Sequence, residues 1–288
     1  MQDFSDSALV VVGHGAQSDA AAAAPIYQHA AELRRRRIFG AVLEAFWKQE
    51  PQLRSAEAAA GFRRVFVVPF FLSAGYFSER VIPEALGFKT GLGPGWSRVQ
   101  ERGAQTLFYC KPVGSDPDLV NIALHRAQEV VEKSPFPRAP IPAKTSLFIA
   151  GHGTERDENS RDTIERVVAL FILKGLYAQV QAIYLEEAPR ISACYELAQT
   201  ENIVVVPFFA GEGPHVKEDI PLALGQSAPI LQRRLESRQT PWRNPTEKKG
   251  KLVWYAEPVG TDPRIADIML DLVRDAGQWP LSHRQVAA

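Results

Sequence analysis

Several features that would define a function at once are scarce or absent in this chain of 288 residues. Its two cysteines, Cys110 and Cys194, stand far apart, without the spacing of a metal or redox motif. No stretch approaches the ~18 consecutive apolar residues that a membrane-spanning helix needs. The Gly-x-Ser-x-Gly turn of α/β hydrolases does not occur, and no Gly-x-Gly-x-x-Gly turn of dinucleotide-binding domains follows the first predicted strand.

The chain also lacks an excess of either charge, since 33 basic residues balance 33 acidic ones. A net charge of zero argues against binding to nucleic acid or to a membrane surface. The densest basic run, Arg34 to Arg37, is interpreted as the solvated end of a helix. No basic region precedes the first apolar run, so we expect no signal peptide and a cytoplasmic location.

What the sequence does contain is an internal duplication. Leu-Val-Val-Val-Gly-His-Gly at 9–15 returns as Leu-Phe-Ile-Ala-Gly-His-Gly at 147–153, an offset of 138 residues. At the same offset, Val-Val-Pro-Phe-Phe and Ile-Pro also recur. Pro-Val-Gly-Ser-Asp-Pro at 112–117 returns with Thr for Ser at 258–263, an offset of 146 residues. We therefore predict two repeats, residues 1–133 and 145–288, joined by a proline-rich linker at 134–144.

Each repeat alternates short apolar runs with helical patterns, which predicts parallel strands with helices on both faces of the sheet. The expected fold is two tandem α/β/α domains, each with a four-stranded parallel sheet and with a cleft between the domains. Two long polar stretches, about 88–104 and 226–250, are predicted to be lids or flexible loops. The predicted strands are 9–12, 42–47, 65–68 and 107–109, then 147–150, 179–184, 203–206 and 252–255.

Two of the six histidines stand out because glycines flank them directly after a predicted strand. His14 and His152 occupy these Gly-His-Gly turns, where the backbone can approach a ligand closely. The carboxyl ends of parallel strands are where α/β sheets bind ligands. His29, His125 and His283 lie in helical or terminal contexts and are predicted to have no function.

The two repeats differ at the ends of their second and third strands. At the offset of 138, Phe77 stands where the second repeat has His215, and Lys48 stands where it has Glu186. The first repeat offers Glu50 as a shifted carboxylate. The second repeat thus has His152, Glu186 and His215 after three different strands. Neutral imidazole suits first-row metal ions and can accept a proton near neutral pH, and a nearby carboxylate can assist.

These motifs, in this order, resemble the class II chelatases, and among them the sirohydrochlorin chelatases of cobalamin and sirohaem synthesis. The resemblance covers almost the whole chain in two copies and implies ATP-independent insertion of cobalt or iron into a tetrapyrrole. In two-repeat chelatases the histidine pair usually lies in the N-terminal repeat. Here the full set is C-terminal, so the N-terminal repeat is interpreted as a partly degenerate wall of the cleft.

The resemblance implies roles for particular residues. His152, His215 and Glu186 are expected to contact the metal or accept protons, and His14 to face the macrocycle. Sirohydrochlorin carries many carboxylates, so basic side chains near the motifs are candidates to bind it: Arg80, Arg156, Arg161 and Lys217. No permanent cofactor is expected, since Co²⁺ or Fe²⁺ is the substrate metal. The expected partners are the tetrapyrrole and the metal, with no nucleic acid and no membrane, and the chain is expected to be a monomer or a weak homodimer.

Other functions fit the residues less well. Histidine phosphatases also place a histidine after the first strand, but within Arg-His-Gly, whereas Gly13 and Gly151 precede the histidines here. The main alternative is a non-catalytic protein that binds a metal or a tetrapyrrole, because the first repeat lacks its second histidine.

Overall fold

The computed structural model describes residues 3–16, 23–54, 59, 61–90, 96–153 and 158–280. The elements of the first repeat follow the order that the sequence predicts, with two additions: a short fifth strand and a π-helical turn. The α-helices are α1 (Ala24–Arg36), α2 (Ile82–Ala85) and α3 (Leu119–Lys133). The strands are β1 (Phe4–Gly13), β2 (Phe39–Phe46), β3 (Arg64–Pro69), β4 (Val99–Arg102) and β5 (Gln105–Tyr109). A single π-helical turn, Phe77–Val81, leads into α2.

The second repeat has the same order with two further α-helices among the described residues. Its helices are α4 (Glu158–Lys174), α5 (Cys194–Leu197), α6 (Ile220–Ala223), α7 (Ala228–Glu236) and α8 (Ile265–Ala276). Its strands are β6 (Thr145–Gly151), β7 (Gln179–Tyr184), β8 (Asn202–Pro207), β9 (Thr246–Lys248) and β10 (Lys251–Tyr255). A π-helical turn, His215–Asp219, leads into α6 as its counterpart leads into α2.

The α/β class is confirmed, but each sheet has five strands rather than the predicted four. The orders are β2-β1-β3-β5-β4 and β7-β6-β8-β10-β9. The first four strands in each order are parallel, whereas β4 and β9 pair antiparallel with β5 and β10. The extra strands fall in the stretches predicted to be lids or loops. That prediction was wrong because short polar edge strands lack the apolar runs of central strands.

The two faces of the second sheet are covered differently. On one face, Phe148 and Val205 pack in a cluster with the α5 side chain Tyr195, the α6 side chain Ile220 and the fully buried Trp242. On the other face, α4 packs on β6 and β7, while α3 packs on β8, β10 and α4. The sheet is thus the middle layer between two layers of helices, as predicted.

The compact units of the structure do not coincide with the sequence repeats. One unit comprises residues 1–116 and 263–288, and the other comprises residues 117–262. The last helix of each repeat therefore belongs to the compact unit that contains the sheet of the other repeat. Helix α3 packs on the second sheet, and helix α8 packs on α1 and on β3 of the first sheet. The chain crosses between units at Asp116-Pro117 and Asp262-Pro263, two equivalent points in the duplicated Asp-Pro motif.

This exchange changes the role of the proline-rich segment 134–144. The segment was predicted to join two domains, but it connects α3 to β6 inside one compact unit. Two polar side chains of the exchanged α3 bond to other residues of that unit. Arg126 is almost fully buried and donates hydrogen bonds to Glu257 and Thr261, and His125 Nδ1 lies 3.1 Å from the fully buried Asp262.

Within the described residues, none of the helices combines the length and the apolar character that crossing a membrane requires.

Candidate functional site

The candidate site lies where the order of the strands reverses. In the second sheet, β7 is on one side of β6 and β8 is on the other, and ligands of open α/β sheets bind at the carboxyl ends of the strands beside such a switch point. His152 directly follows β6, Glu186 follows β7, and His215 lies in the π-helical turn after β8. Three side chains from distant segments are thereby brought to one edge of the sheet.

His152 and His215 are in ring contact. Their centroids are 4.7 Å apart and their planes make an angle of 78°, so the rings meet edge to face. Nδ1 of His152 is buried and has no hydrogen-bond partner in the part of the chain that the structure describes. The side chains of His152 and His215 are 34% and 46% exposed, so both rings can be reached by a ligand.

Asp219 orients His215, and it is not among the site residues predicted from the sequence. Nδ1 of His215 lies 2.6 Å from Oδ2 of Asp219, one turn further along the chain. Because an ionised carboxylate only accepts hydrogen bonds, this contact favours the proton on Nδ1 and leaves the lone pair of Nε2 free. A carboxylate behind an imidazole is the usual way in which proteins orient a metal-binding histidine. The sequence signal was the His-x-x-x-Asp spacing within one turn.

Glu186 is tied to His152 through both backbone and side chain. Its backbone N–H donates a 3.0 Å hydrogen bond to the carbonyl oxygen of His152. Its Oε1 lies 3.7 Å from Nε2 of His152, and the carboxylate is more than half exposed. The structure therefore brings Glu186 beside His152 at the mouth of the site.

The three predicted ligands do not form a closed metal-binding set. Among the described residues, no group of three or more His, Cys, Asp or Glu side chains converges as if to hold a metal ion. The site instead offers two adjacent imidazoles and a carboxylate beside one of them. Such an arrangement can contact a metal ion while leaving coordination positions open to another ligand.

A buried tyrosine holds the turn that carries His215. The hydroxyl of Tyr255, on β10, donates a 2.8 Å hydrogen bond to the carbonyl oxygen of Val216. Burial raises the pKa of Tyr255, so its hydroxyl stays protonated and remains a donor. The first repeat has the equivalent hydrogen bond, which the hydroxyl of Tyr109 donates to the carbonyl oxygen of Ser78 at 2.6 Å.

The second glycine of the Gly-His-Gly turn is required by both conformation and space. Gly153 has φ of +64°, and a Cβ atom there would lie 2.6 Å from Cγ of Glu187 and 2.7 Å from Cβ of Tyr184. Gly15 has φ of +68° and is crowded by Gln49 in the same way. This glycine lets the chain turn back against the second strand, which holds the histidine at the sheet edge.

The first repeat keeps the geometry of the pair but has a phenylalanine in place of the second imidazole. The rings of His14 and Phe77 meet edge to face at 4.8 Å and 89°, close to the arrangement of the two histidines. Nδ1 of His14 donates to the carbonyl oxygen of Gly15 at 2.8 Å. At the offset of 138, Val81 stands where the second repeat has Asp219, so the second histidine and its carboxylate are replaced together. Glu50 caps its own loop by accepting the backbone N–H of Gln52.

The predicted basic residues are mostly paired with nearby acids. Lys217 lies 3.2 Å from Glu212, and Arg80, in the first repeat, lies 3.4 Å from Glu84. Arg161 contacts Glu187 at 3.0 Å and stacks over the ring of Tyr184. Arg156 lies outside the described residues.

The fold and the site together define a class: a duplicated α/β/α protein whose sheets each present a histidine at the switch point, with a second imidazole in only one repeat. The chain belongs to the CbiX family, whose model matches residues 8–130 and again residues 146–276. This double match agrees with the internal duplication, and it confirms the predicted relationship at the level of the family.

Known proteins similar to this chain are described as chelatases or as resembling them. The probable sirohydrochlorin cobaltochelatase of Halobacterium salinarum is 34% identical over 280 residues, which cover 94% of this chain and 91% of that protein. A multi-domain protein of Deinococcus radiodurans, described as structurally similar to chelatases but with two additional novel domains, matches with a TM-score of 0.75 at 26% identity. That match covers 94% of this chain but only 55% of the Deinococcus chain.

A third similar protein is SirB, the sirohydrochlorin chelatase of Bacillus subtilis subspecies spizizenii, solved in complex with cobalt. Its TM-score is 0.61 at 16% identity, and the match covers 96% of this chain and 99% of that chain. At this identity the likeness concerns the fold alone.

Proposed function

We propose that this chain inserts a divalent metal ion, cobalt or iron, into sirohydrochlorin or a closely related tetrapyrrole, without ATP. The single observation that carries the proposal is the contact between His152 and His215 at the switch point of the second sheet, with Asp219 behind His215. The relative from Halobacterium salinarum, similar along almost its whole length, is described as a probable sirohydrochlorin cobaltochelatase.

The reaction exchanges one metal ion for two protons. The tetrapyrrole enters with two pyrrole N–H groups, the divalent ion forms bonds to the ring nitrogens, and both protons leave. The protein therefore has to present a partly dehydrated metal ion and to accept protons. Neutral imidazoles are suited to both tasks at neutral pH.

In this mechanism the exposed His215 contacts the incoming metal through Nε2. Asp219 keeps the proton on Nδ1, so Nε2 retains its lone pair. His152, with Glu186 beside its own Nε2, contacts the metal or accepts the pyrrole protons. An open set of ligands favours release, because a chelatase must hand its metal ion to the macrocycle rather than retain it.

In this proposal the N-terminal repeat does not deliver the metal. His14 retains an imidazole that can face the macrocycle, but Phe77 and Val81 remove the second histidine and its carboxylate. Lys217 and Arg80 remain candidates to bind substrate carboxylates, because both are partly exposed and a substrate carboxylate can share or displace their present partners. Arg156 and Arg161 complete the proposed set of basic residues.

A non-catalytic metal or tetrapyrrole carrier is the second candidate, and the missing histidine of the first repeat favours it. An anaerobic absorbance assay separates the two. Sirohydrochlorin is supplied in excess over the protein, and Co²⁺ or Fe²⁺ is added without nucleotide. We expect loss of the free-base spectrum faster than the background reaction, over many equivalents. A spectral change that stops at one equivalent of protein would instead support a carrier.

A further inference from the structure

A cavity of about 830 Å³ lies in the second compact unit, at the carboxyl end of β10. Its walls are the C-terminal half of α3, the segment 234–244 and the turn 212–218, and it is here called the arginine cavity. Strand β8 separates β10 from β6, and none of His152, Glu186 and His215 lines the cavity. The arginine cavity is therefore distinct from the proposed metal site.

The lining of the arginine cavity has more basic than acidic side chains. Six of the lining residues are Lys or Arg, and four are Glu. Three of the basic residues form ion pairs with three of the acids: Arg126 and Lys133 with Glu129 and Glu257, and Lys217 with Glu212. Within the described residues, Arg234, Arg238 and Arg243 form no ion pair, and neither does the fourth acid, Glu218. The cavity therefore has three arginines without an acidic partner.

These three arginines belong to an interval in which the second repeat is longer than the first. Between the Ile-Pro and Pro-Val-Gly motifs the offset rises from 138 to 146, a gain of eight residues. Arg234 lies in α7 and donates hydrogen bonds to the backbone carbonyl and the hydroxyl of Thr240. Arg238 and Arg243 follow α7, are exposed, and donate no side-chain hydrogen bond to any described residue. Their guanidinium groups are thus open to a ligand.

Apolar side chains form another part of the lining. Trp242 and Tyr255 are 1% and 5% exposed, and Val130, Leu235 and Pro241 also line the cavity. The volume of about 830 Å³ falls within the range of small-molecule sites, roughly 300–1,000 Å³. A single inorganic anion would fill little of this space. The arginine cavity therefore suits an organic molecule that carries anionic groups.

We propose that the arginine cavity binds a small organic anion with two or more phosphate or carboxylate groups, which Arg238 and Arg243 hold and Arg234 supports. A guanidinium group can donate two parallel hydrogen bonds to either kind of anion, and its charge strengthens both. The inference does not depend on the proposed function, because it concerns a separate site and a binding equilibrium without metal.

The test is calorimetric titration of the metal-free chain at low ionic strength with two ligands. Fructose 1,6-bisphosphate represents the phosphates and citrate the carboxylates. We expect saturable binding of one ligand per chain in at least one titration, and the tighter ligand identifies the anionic group. Arg238→Gln and Arg243→Gln should each weaken binding roughly three- to tenfold, and the double variant should combine the losses. Added salt should also weaken binding, because it screens the charges.

The matched control is Arg233→Gln, which removes the same charge from an exposed arginine of α7 that does not line the cavity. Its affinity should equal that of the wild type. Absence of saturable binding of both ligands would overturn the inference, and so would equal losses in Arg233→Gln and Arg238→Gln. Circular dichroism and urea unfolding should show that all variants fold like the wild type, because the replaced side chains are exposed.

Titration with metal-free sirohydrochlorin tests whether the site is separate. The double variant of Arg238 and Arg243 should bind sirohydrochlorin as tightly as the wild type. A loss of this affinity would make the two arginines part of the substrate site, and the inference of a separate site would fail. Failure of the chain to metallate sirohydrochlorin would contradict the proposed function but leave the titrations with fructose 1,6-bisphosphate and citrate unchanged.

Discussion

His152 and His215 meet edge to face with ring centroids 4.7 Å apart, and the equivalent pair in the first repeat keeps this geometry with a phenylalanine in place of the second histidine. The two rings of the pair are therefore arranged alike in both repeats, and the difference lies in which side chains are present. This makes the first repeat an internal control for each residue assigned to the second.

The carboxylate beside His152 is expected to assist the reaction. Replacing Glu186 by Gln keeps the shape of the side chain but removes its charge next to Nε2 of His152. Because loss of a group that supports a metal-binding histidine costs roughly 10- to 100-fold in activity, we expect a decrease of that size in the initial rate of metallation. The matched control is Lys48→Gln at the equivalent position, which should leave the rate unchanged. Equal rates for Glu186→Gln and wild type would remove Glu186 from the mechanism.

The geometry of the first repeat should accept the proposed metal-binding pair of the second. Phe77→His combined with Val81→Asp gives the first repeat the residues of the second, on a backbone that already brings the ring of residue 77 to His14. We expect calorimetric titration with Co²⁺ to show an additional binding event compared with wild type. Phe77→Leu with Val81→Asp is the control, because it adds the carboxylate without the imidazole. If all three proteins bound the same number of Co²⁺ ions, the strand ends of the two sheets would not be equivalent.

The turn that carries His152 should tolerate no side chain at Gly153. Gly153→Ala combines a positive φ with contacts below 3 Å to Glu187 and Tyr184, so we expect it to lower the free energy of unfolding by about 3 kcal/mol. Gly175 is the matched control, since its φ is +62° but no atom lies within 4 Å of the position of its Cβ. Gly175→Ala should cost only about 1 kcal/mol, the strain of the left-handed backbone. If urea unfolding showed the same loss of unfolding free energy for both variants, steric crowding at Gly153 would not constrain the turn.

Much of this architecture could be predicted from the sequence because the chain contains two versions of one pattern. The apolar runs identified the eight parallel strands, and the offset of 138 aligned Phe77 with His215 and Lys48 with Glu186. Parallel strands then required the loops after the first and third strands to meet at one edge. The contact between His152 and His215 follows from this topology.

The remaining features depend on contacts that periodicity does not encode. The edge strands β4 and β9 are short and polar, so their sequence pattern does not differ from that of a loop. Asp219 gains its role only because a π-helical turn sets it beside Nδ1 of His215. The exchange of α3 and α8 could not be predicted, because an amphipathic helix from either repeat fits the equivalent face of either sheet.

The central claim is that metal delivery belongs to the second repeat, and the most direct measurement compares His215→Ala with His14→Ala under multiple turnover. Both variants should still bind sirohydrochlorin, which an absorbance titration verifies. We expect His215→Ala to lose at least about 100-fold in the rate of Co²⁺ insertion, because it removes the exposed imidazole of the pair. His14→Ala should retain most of the wild-type rate at saturating substrate. Unchanged turnover in His215→Ala, or loss of turnover only in His14→Ala, would contradict the account.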